Sequence, residues 1–238
     1  MDPAIVTKLD DFISQPRMAP YIAGCGGDQE KARRLYLWNM EISAAFWGAI
    51  SSVEVAMRNA LHREFAQHFG RTDWWHDRLA VPLAGKAVTC ETDLLSQYQR
   101  QSRTYRSQRP PPGPDDVVAN LSFGFWSTMV ASPKSALEQD KYWHLFAHRS
   151  FPNWGYRPND STNRGHFTRR LESLRKFRNR VAHHEPIHTR QLDQDNRKLI
   201  DMARFVDIEL AHFVNGHSRV ATVLSRRSAA TEFGDCCF

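Results

Sequence analysis

The chain has 238 residues, 41% of them hydrophobic, with seven Trp and fourteen Phe, which is ample for the core of one large domain or two small ones. No stretch approaches the roughly 18 uninterrupted apolar residues of a spanning helix, and Asp2, Lys8, Asp10 and Asp11 break any secretory leader. A cytoplasmic protein without a membrane partner is therefore expected. The net charge of +6 favours polyanionic partners, and half the meaning lies in where that charge sits.

Asp2-Pro3 pairs an N-cap with proline at a first helical position, and Ile5, Leu9, Phe12 and Ile13 continue a pattern that stops at Pro16. Gly24, Gly26 and Gly27 mark a loop. From about residue 28 to 69, Leu35, Trp38, Ile42, Phe46, Ile50, Val53, Met57, Leu61 and Phe65 recur at steps of three and four, the stripe of one long helix ending at Gly70. A helix over about 83–106 precedes the break Pro110-Pro111-Pro112-Gly113-Pro114.

Asp115 or Asp116 then caps a helix through Leu121, Phe125 and Met129 that Pro133 ends, and an irregular aromatic stretch follows with Tyr142, Trp143, Phe146, Phe151, Trp154 and Tyr156. Ser161 or Thr162 opens a helix that runs to about His184. The last long helix covers about 191–214, with Gly216 as its cap, and residues 216–238 are expected as a flexible tail. No segment alternates with the period of a strand. The expectation is an all-α bundle of long antiparallel helices, a single domain over 1–215.

Cys25, Cys90, Cys236 and Cys237 are scattered without a Cys-x-x-Cys pair, which suits reduced thiols. The eleven histidines form no His-Glu-x-x-His or matched Cys/His spacing, so no metal or cofactor is expected. Residues 161–190 hold eight basic residues, Arg164, Arg169, Arg170, Arg175, Lys176, Arg178, Arg180 and Arg190, against Glu172 and Glu185. That net +6 equals the whole chain's, and it fits either a nucleic-acid surface or a solvated helix face.

In the helix from about 162 to 184 the apolar stripe steps through Phe167, Leu171, Leu174 and Val181, with Arg178 expected at a core-facing position. An arginine there needs an anion or a wet cleft. Asn179 and His183 are four apart and share a face. Arg178 and His183 lie about 140° apart on an ideal helix, so they meet at one phosphate only through the reach of Arg178 or across two helices. Pro186 disfavours helix at Glu185, which places His183 and His184 in the final turn, where the helix dipole favours imidazolium. A permanently charged arginine beside a titrating histidine suits phosphodiester chemistry: one stabilises charge on phosphorus, the other moves protons. A helix end carrying favourable cations is the plainer alternative.

The string Arg178-Asn179-Arg180-Val181-Ala182-His183 resembles the Arg-x4-6-His motif of HEPN ribonucleases. The longer run Leu174-Arg175-Lys176-Phe177-Arg178-Asn179-Arg180-Val181-Ala182-His183-His184-Glu185-Pro186-Ile187 resembles the end of Abi-like proteins of the abortive-infection type. Leu121-Ser122-Phe123-Gly124-Phe125-Trp126-Ser127 and Met57-Arg58-Asn59-Ala60-Leu61-His62 resemble earlier segments of that family, so the likeness spans about residues 30–215 in order.

The resemblance implies a HEPN-type helical bundle that cuts RNA without metal in phage defence or toxin–antitoxin systems. For some members it also implies restraint by a small structured RNA. Arg178 and His183 inherit the catalytic pair, and Asn179 the polar position beside the arginine. Arg58 to His62 falls one residue short of the motif and is not taken as a second site. Glu54 and Arg58 lie one turn apart, as an ion pair would.

RNA contacts are expected at Arg58, Arg169, Arg170, Arg175, Lys176, Arg180 and His184. A second possibility is Arg100, Arg103, Arg106 and Arg109 interleaved with Tyr98 and Tyr105. The partners expected are RNA, as substrate and as antitoxin-like small RNA, and a second copy of the chain. The alternative is a non-catalytic RNA-binding protein with a phosphate pocket.

Overall fold

Apolar stripes at helical spacing account for nearly every element. The computed structural model describes residues 8–78, 80, 84–104, 110–130, 139–157 and 161–236. Among these residues the regular elements are all helical: α1 (Leu9–Phe12), α2 (Gln15–Gly24), α3 (Gln29–Phe69), α4 (Ala84–Thr104), α5 (Pro114–Asn120), α6 (Phe123–Val130), α7 (Gln139–Leu145), α8 (Ser161–Ala182), α9 (Leu192–Val206), α10 (Ile208–His217), α11 (Val220–Ser225) and α12 (Arg227–Phe233). No described helix is long and apolar enough to cross a membrane. The predicted start at Asp2-Pro3, the stop at Pro133, and Tyr105, Arg106 and Arg109 lie outside the described residues.

Helix α3 follows its stripe from end to end. The Asp28 carboxylate accepts from the Lys31 N–H at 3.0 Å, capping the first turn. All nine stripe residues from Leu35 to Phe65 are buried. Gly70, at φ +68°, takes the left-handed position that ends the helix, with the Arg71 N–H returning to the Ala66 carbonyl at 3.1 Å.

Several boundaries differ from expectation, each for a local reason. Gly24 closes α2 rather than lying in a loop, and Pro16 sits in that helix's opening turn, where proline is tolerated. The helix expected through residues 115–129 is two: Ser122 Oγ accepts from the Phe125 N–H at 3.2 Å and starts α6 afresh after Leu121. The helix expected over 191–214 breaks at Asp207, and Gly216 lies inside α10. Residues 220–233, expected within a flexible tail, form α11 and α12, with Val220, Val223 and Ala230 buried.

By its contacts the chain forms two compact units. The first comprises Met1–Val53, Lys176–Met202 and Glu209–Phe238. Its core packs Phe46 edge-on against Phe177 at 4.8 Å, and the buried Trp38 donates from Nε1 to the Val223 carbonyl at 3.1 Å. The buried Glu41 pairs with Arg226, Lys31 pairs with Glu232, and Arg34 donates to the Glu232 carbonyl, so α11 and α12 are tied to α3.

The second unit comprises Glu54–Arg175 and Ala203–Ile208. Phe65 meets Trp74 at 4.5 Å and Phe146 at 4.7 Å, while Trp143 meets Phe167 at 4.9 Å. The aromatic run of 142–156 is thus largely core.

Candidate functional site

The motif occupies the C-terminal end of α8 and the turn beyond it, all within the first unit. The buried stripe runs Phe167, Leu171, Leu174, Phe177 and Val181. Phe177, 1% exposed, holds the position assigned above to Arg178. A step of three from Leu174 and four to Val181 satisfies the helical period, so Arg178 does not interrupt the core. Arg178 is half-buried instead, its guanidinium 5.5 Å over the indole of Trp47 on α3. A cation held over an aromatic face is oriented while keeping its charge.

Helix α8 ends one residue before His183, so His183 and His184 follow the helix rather than filling its last turn. The His184 N–H donates to the Val181 carbonyl at 3.1 Å and the Glu185 N–H to the Arg180 carbonyl at 2.8 Å. This is the Schellman pattern, and its left-handed position is taken by His184 at φ +56° instead of by glycine. The side chains flanking it, Arg180 and Glu185, form an ion pair at 2.9 Å.

Two further anchors hold the turn. Arg17 on α2 donates to the His184 carbonyl. The Ile187 and His188 N–H groups both donate to Asn39 Oδ1 on α3, at 2.8 and 3.1 Å. His183 is exposed on this fixed turn, its own N–H bonded to the Asn179 carbonyl at 2.9 Å. Asn179 and His183, four apart on one face, are linked through the backbone, with no side-chain hydrogen bond between them among the described residues. Beside the turn lies a cavity of about 530 Å³ whose lining includes Val181, Ala182, His184 and Trp47.

The other basic residues divide by role. Arg164 is buried, 5.8 Å over Trp143, and burial pushes its guanidinium down to about 10. Arg175 holds Glu172 through two bonds of 2.7 and 2.8 Å, and Arg190 grips the buried Asp195 at 2.8 and 2.9 Å. Arg169, Arg170 and Lys176 are exposed; Arg169 touches His166 at 3.1 Å, and Arg170 lies 5.8 Å over Phe205.

Arg58 donates to the Ala119 carbonyl at 3.0 Å, and His62 accepts from Trp74 Nε1 at 3.2 Å. Both ends of the near-motif at 58–62 thus have partners in the second unit's fold. Arg58, Arg169, Arg170 and Arg175 belong to that unit, whereas Lys176, Arg178, Asn179, Arg180, His183 and His184 belong to the first.

Arg17, Asn39 and Trp47 escaped the sequence reading. Trp47 carried one usable signal: it falls off the α3 stripe, and the structure leaves it 43% exposed.

The model of the Abi-like protein family matches residues 21–189, which take in α3, α8 and the turn that follows. No curated protein and no solved structure matches the chain.

Proposed function

Because the chain belongs to the Abi-like family, we propose that it is a HEPN-type endoribonuclease acting without metal in abortive infection, with Arg178 and His183 as its catalytic pair. The observation that carries this reading is the turn after α8. An exposed histidine follows a helix whose end is fixed by Arg17 and Asn39, one helical turn and a half beyond an arginine braced on Trp47. Catalytic groups need supports of this kind to hold a productive geometry.

In the proposed reaction His183 takes the proton of a ribose 2′-hydroxyl as its oxygen attacks the adjacent phosphorus. Arg178 stabilises the charge that accumulates on the non-bridging oxygens. The bond to the 5′-oxygen breaks, that oxygen receives a proton from the His183 imidazolium, which returns to neutral, and the products carry a 2′,3′-cyclic phosphate and a 5′-hydroxyl. Asn179 orients the pair. Pairing of two motif helices from two copies of the chain would bring Arg178 and His183 to one phosphate despite their angular separation on the helix.

RNA cleavage in EDTA tests the reading. Wild type should cut and leave 2′,3′-cyclic ends, and Arg178→Ala or His183→Ala should lower the rate by about 10²–10⁴. Cleavage undiminished in both variants would remove the assignment. RNA binding with no cleavage by wild type would favour a non-catalytic phosphate-binding protein.

A further inference from the structure

The cavity beside the motif has a chemistry of its own. Its volume, about 530 Å³, falls within the range of about 300–1,000 Å³ usual for small-molecule sites. Arg17 and Tyr21 of α2, and Tyr36, Asn39, Ser43 and Trp47 of α3, all line it. An aromatic lining with a few polar groups suits a flat ring. The polar groups then decide which ring.

Asn39 is 3% exposed, and its Oδ1 already accepts from two backbone N–H groups. Two donors facing one atom fix the amide's orientation, so the remaining capacity of Asn39 is its NH2 group. Ser43 Oγ is buried without a partner among the described residues. Burial, with Tyr36 alongside, holds the Tyr21 phenol far above its ordinary range, so it remains an O–H. Arg17 adds a permanent cation, and none of the described residues lining the cavity is a carboxylate. A ligand that satisfies this set is flat and brings acceptors, and unsatisfied buried donors are costly enough to make the match selective.

We propose that this cavity is the nucleobase subsite of the RNA strand cut at the motif, in which a base lies against Trp47 and accepts the Asn39 amide N–H on an exocyclic carbonyl oxygen. Uracil, cytosine and guanine carry such an oxygen; adenine does not. The subsite rests on the reading of RNA as substrate, and it adds a preference at one position next to the cut.

The test is calorimetric titration of the full chain with the four ribonucleoside 3′-monophosphates, alongside cleavage of RNAs that differ in one base beside the cut. Uridine, cytidine and guanosine monophosphates should bind at least about fivefold more tightly than adenosine monophosphate. Trp47→Ala should weaken all of them by about tenfold, as the loss of one stacking platform does. Ser43→Ala should weaken the three carbonyl bases and leave adenosine unchanged. Trp47 is half-exposed, so its removal should not unfold the chain, and circular dichroism checks this.

Equal binding of all four, or binding unchanged in Trp47→Ala, overturns the subsite. If RNA is cut but no monophosphate binds, the subsite falls and the nuclease stands. If the monophosphates bind as stated while RNA stays intact, the nuclease falls, and with it the place of the subsite beside a cut, leaving a base site in a non-catalytic RNA-binding protein.

Discussion

Arg17 donates to the main-chain carbonyl of His184, so a residue near the start of the chain holds the turn that carries His183. That turn needs holding, because a non-glycine residue at positive φ costs on the order of 1 kcal/mol. Arg17→Met should therefore act as a positioning defect. We expect kcat for RNA cleavage to fall by about tenfold with a smaller change in KM. Arg17→Lys should restore part of the loss. Equal, small changes in both parameters would show that Arg17 serves only the fold.

His184→Gly separates strain from chemistry at the same turn. Glycine adopts φ +56° without a side-chain clash, so the variant should be neutral or more stable by up to about 1 kcal/mol. That corresponds to a rise in Tm of about 2–4 °C at this chain length. Cleavage should persist, because the proposed proton carrier is His183. Thermal melts and a cleavage assay check both statements, and loss of cleavage would bring His184 into the reaction.

The exchange of roles between neighbours on α8 gives a stability prediction. Phe177 packs on Phe46 at 4.8 Å, so Phe177→Ala should cost about 3–5 kcal/mol. Arg178→Ala should cost far less, since it removes a half-buried contact with Trp47 and leaves no cavity in the core. Urea unfolding of the two variants decides it. Comparable losses would return Arg178 to the core.

Those two residues also show how far a sequence speaks for this fold. The long stripe of α3 was legible because nine apolar residues repeat without interruption, and the start of α8 was legible from Ser161 and Thr162. The stripe of α8 was misjudged at a single step, where both 177 and 178 fit an approximate helical period. Asp207 gave no punctuation that distinguishes a break from a polar face. The helices at 220–233 are short, and their burial depends on Trp38, Glu41 and Arg34, partners almost 200 residues away that no local pattern announces. The motif residues of the site were readable as a string. Arg17, Asn39 and Trp47, which brace and line it, were not, because their roles exist only through tertiary contacts.

RNA affinity should depend on salt in a way that sorts the arginines. A single-stranded RNA contact contributes a slope of roughly −0.7 per phosphate in log affinity against log salt. Arg169→Ala and Arg170→Ala, at exposed positions, should each reduce the slope by about that amount if they meet phosphate. Arg175→Ala should reduce it less, because that guanidinium holds Glu172. Titrations of fluorescent RNA at several salt concentrations measure each slope, and a flat dependence for wild type would remove RNA as a partner.

Acid should destabilise the fold through two histidines, the half-buried His62 and the buried His188. Burial lowers both His62 and His188 below the ordinary 6.5, and His62 also accepts a hydrogen bond from Trp74 that needs a neutral nitrogen. As pH falls through about 6.5, the unfolded chain binds protons that the folded one resists, so stability declines from there until the folded-state values are reached. Above about pH 7 both states are neutral at these sites and the contribution is constant. Melting temperatures between pH 8 and 5 should show the decline, and it should be shallower in His62→Gln and His188→Gln. Identical profiles for wild type and both variants would assign the acid sensitivity elsewhere.

Assembly is the last expectation. Light scattering should give a mass of about twice 27.5 kDa, for a dimer that pairs two motif helices. A monomer with full cleavage activity would show that one copy of α8 and its turn suffices.

The indole of Trp38 finds its hydrogen-bond partner, the Val223 carbonyl, 185 residues further along the chain. Such a pairing sets an order of events during synthesis, because the amino-terminal part of a chain emerges first. Arg178 and His183 are made before the segment that covers Trp38 and neutralises Glu41. A nascent chain therefore carries its motif on an unfinished scaffold until the segment around Val223 and Arg226 has emerged to pack on α3.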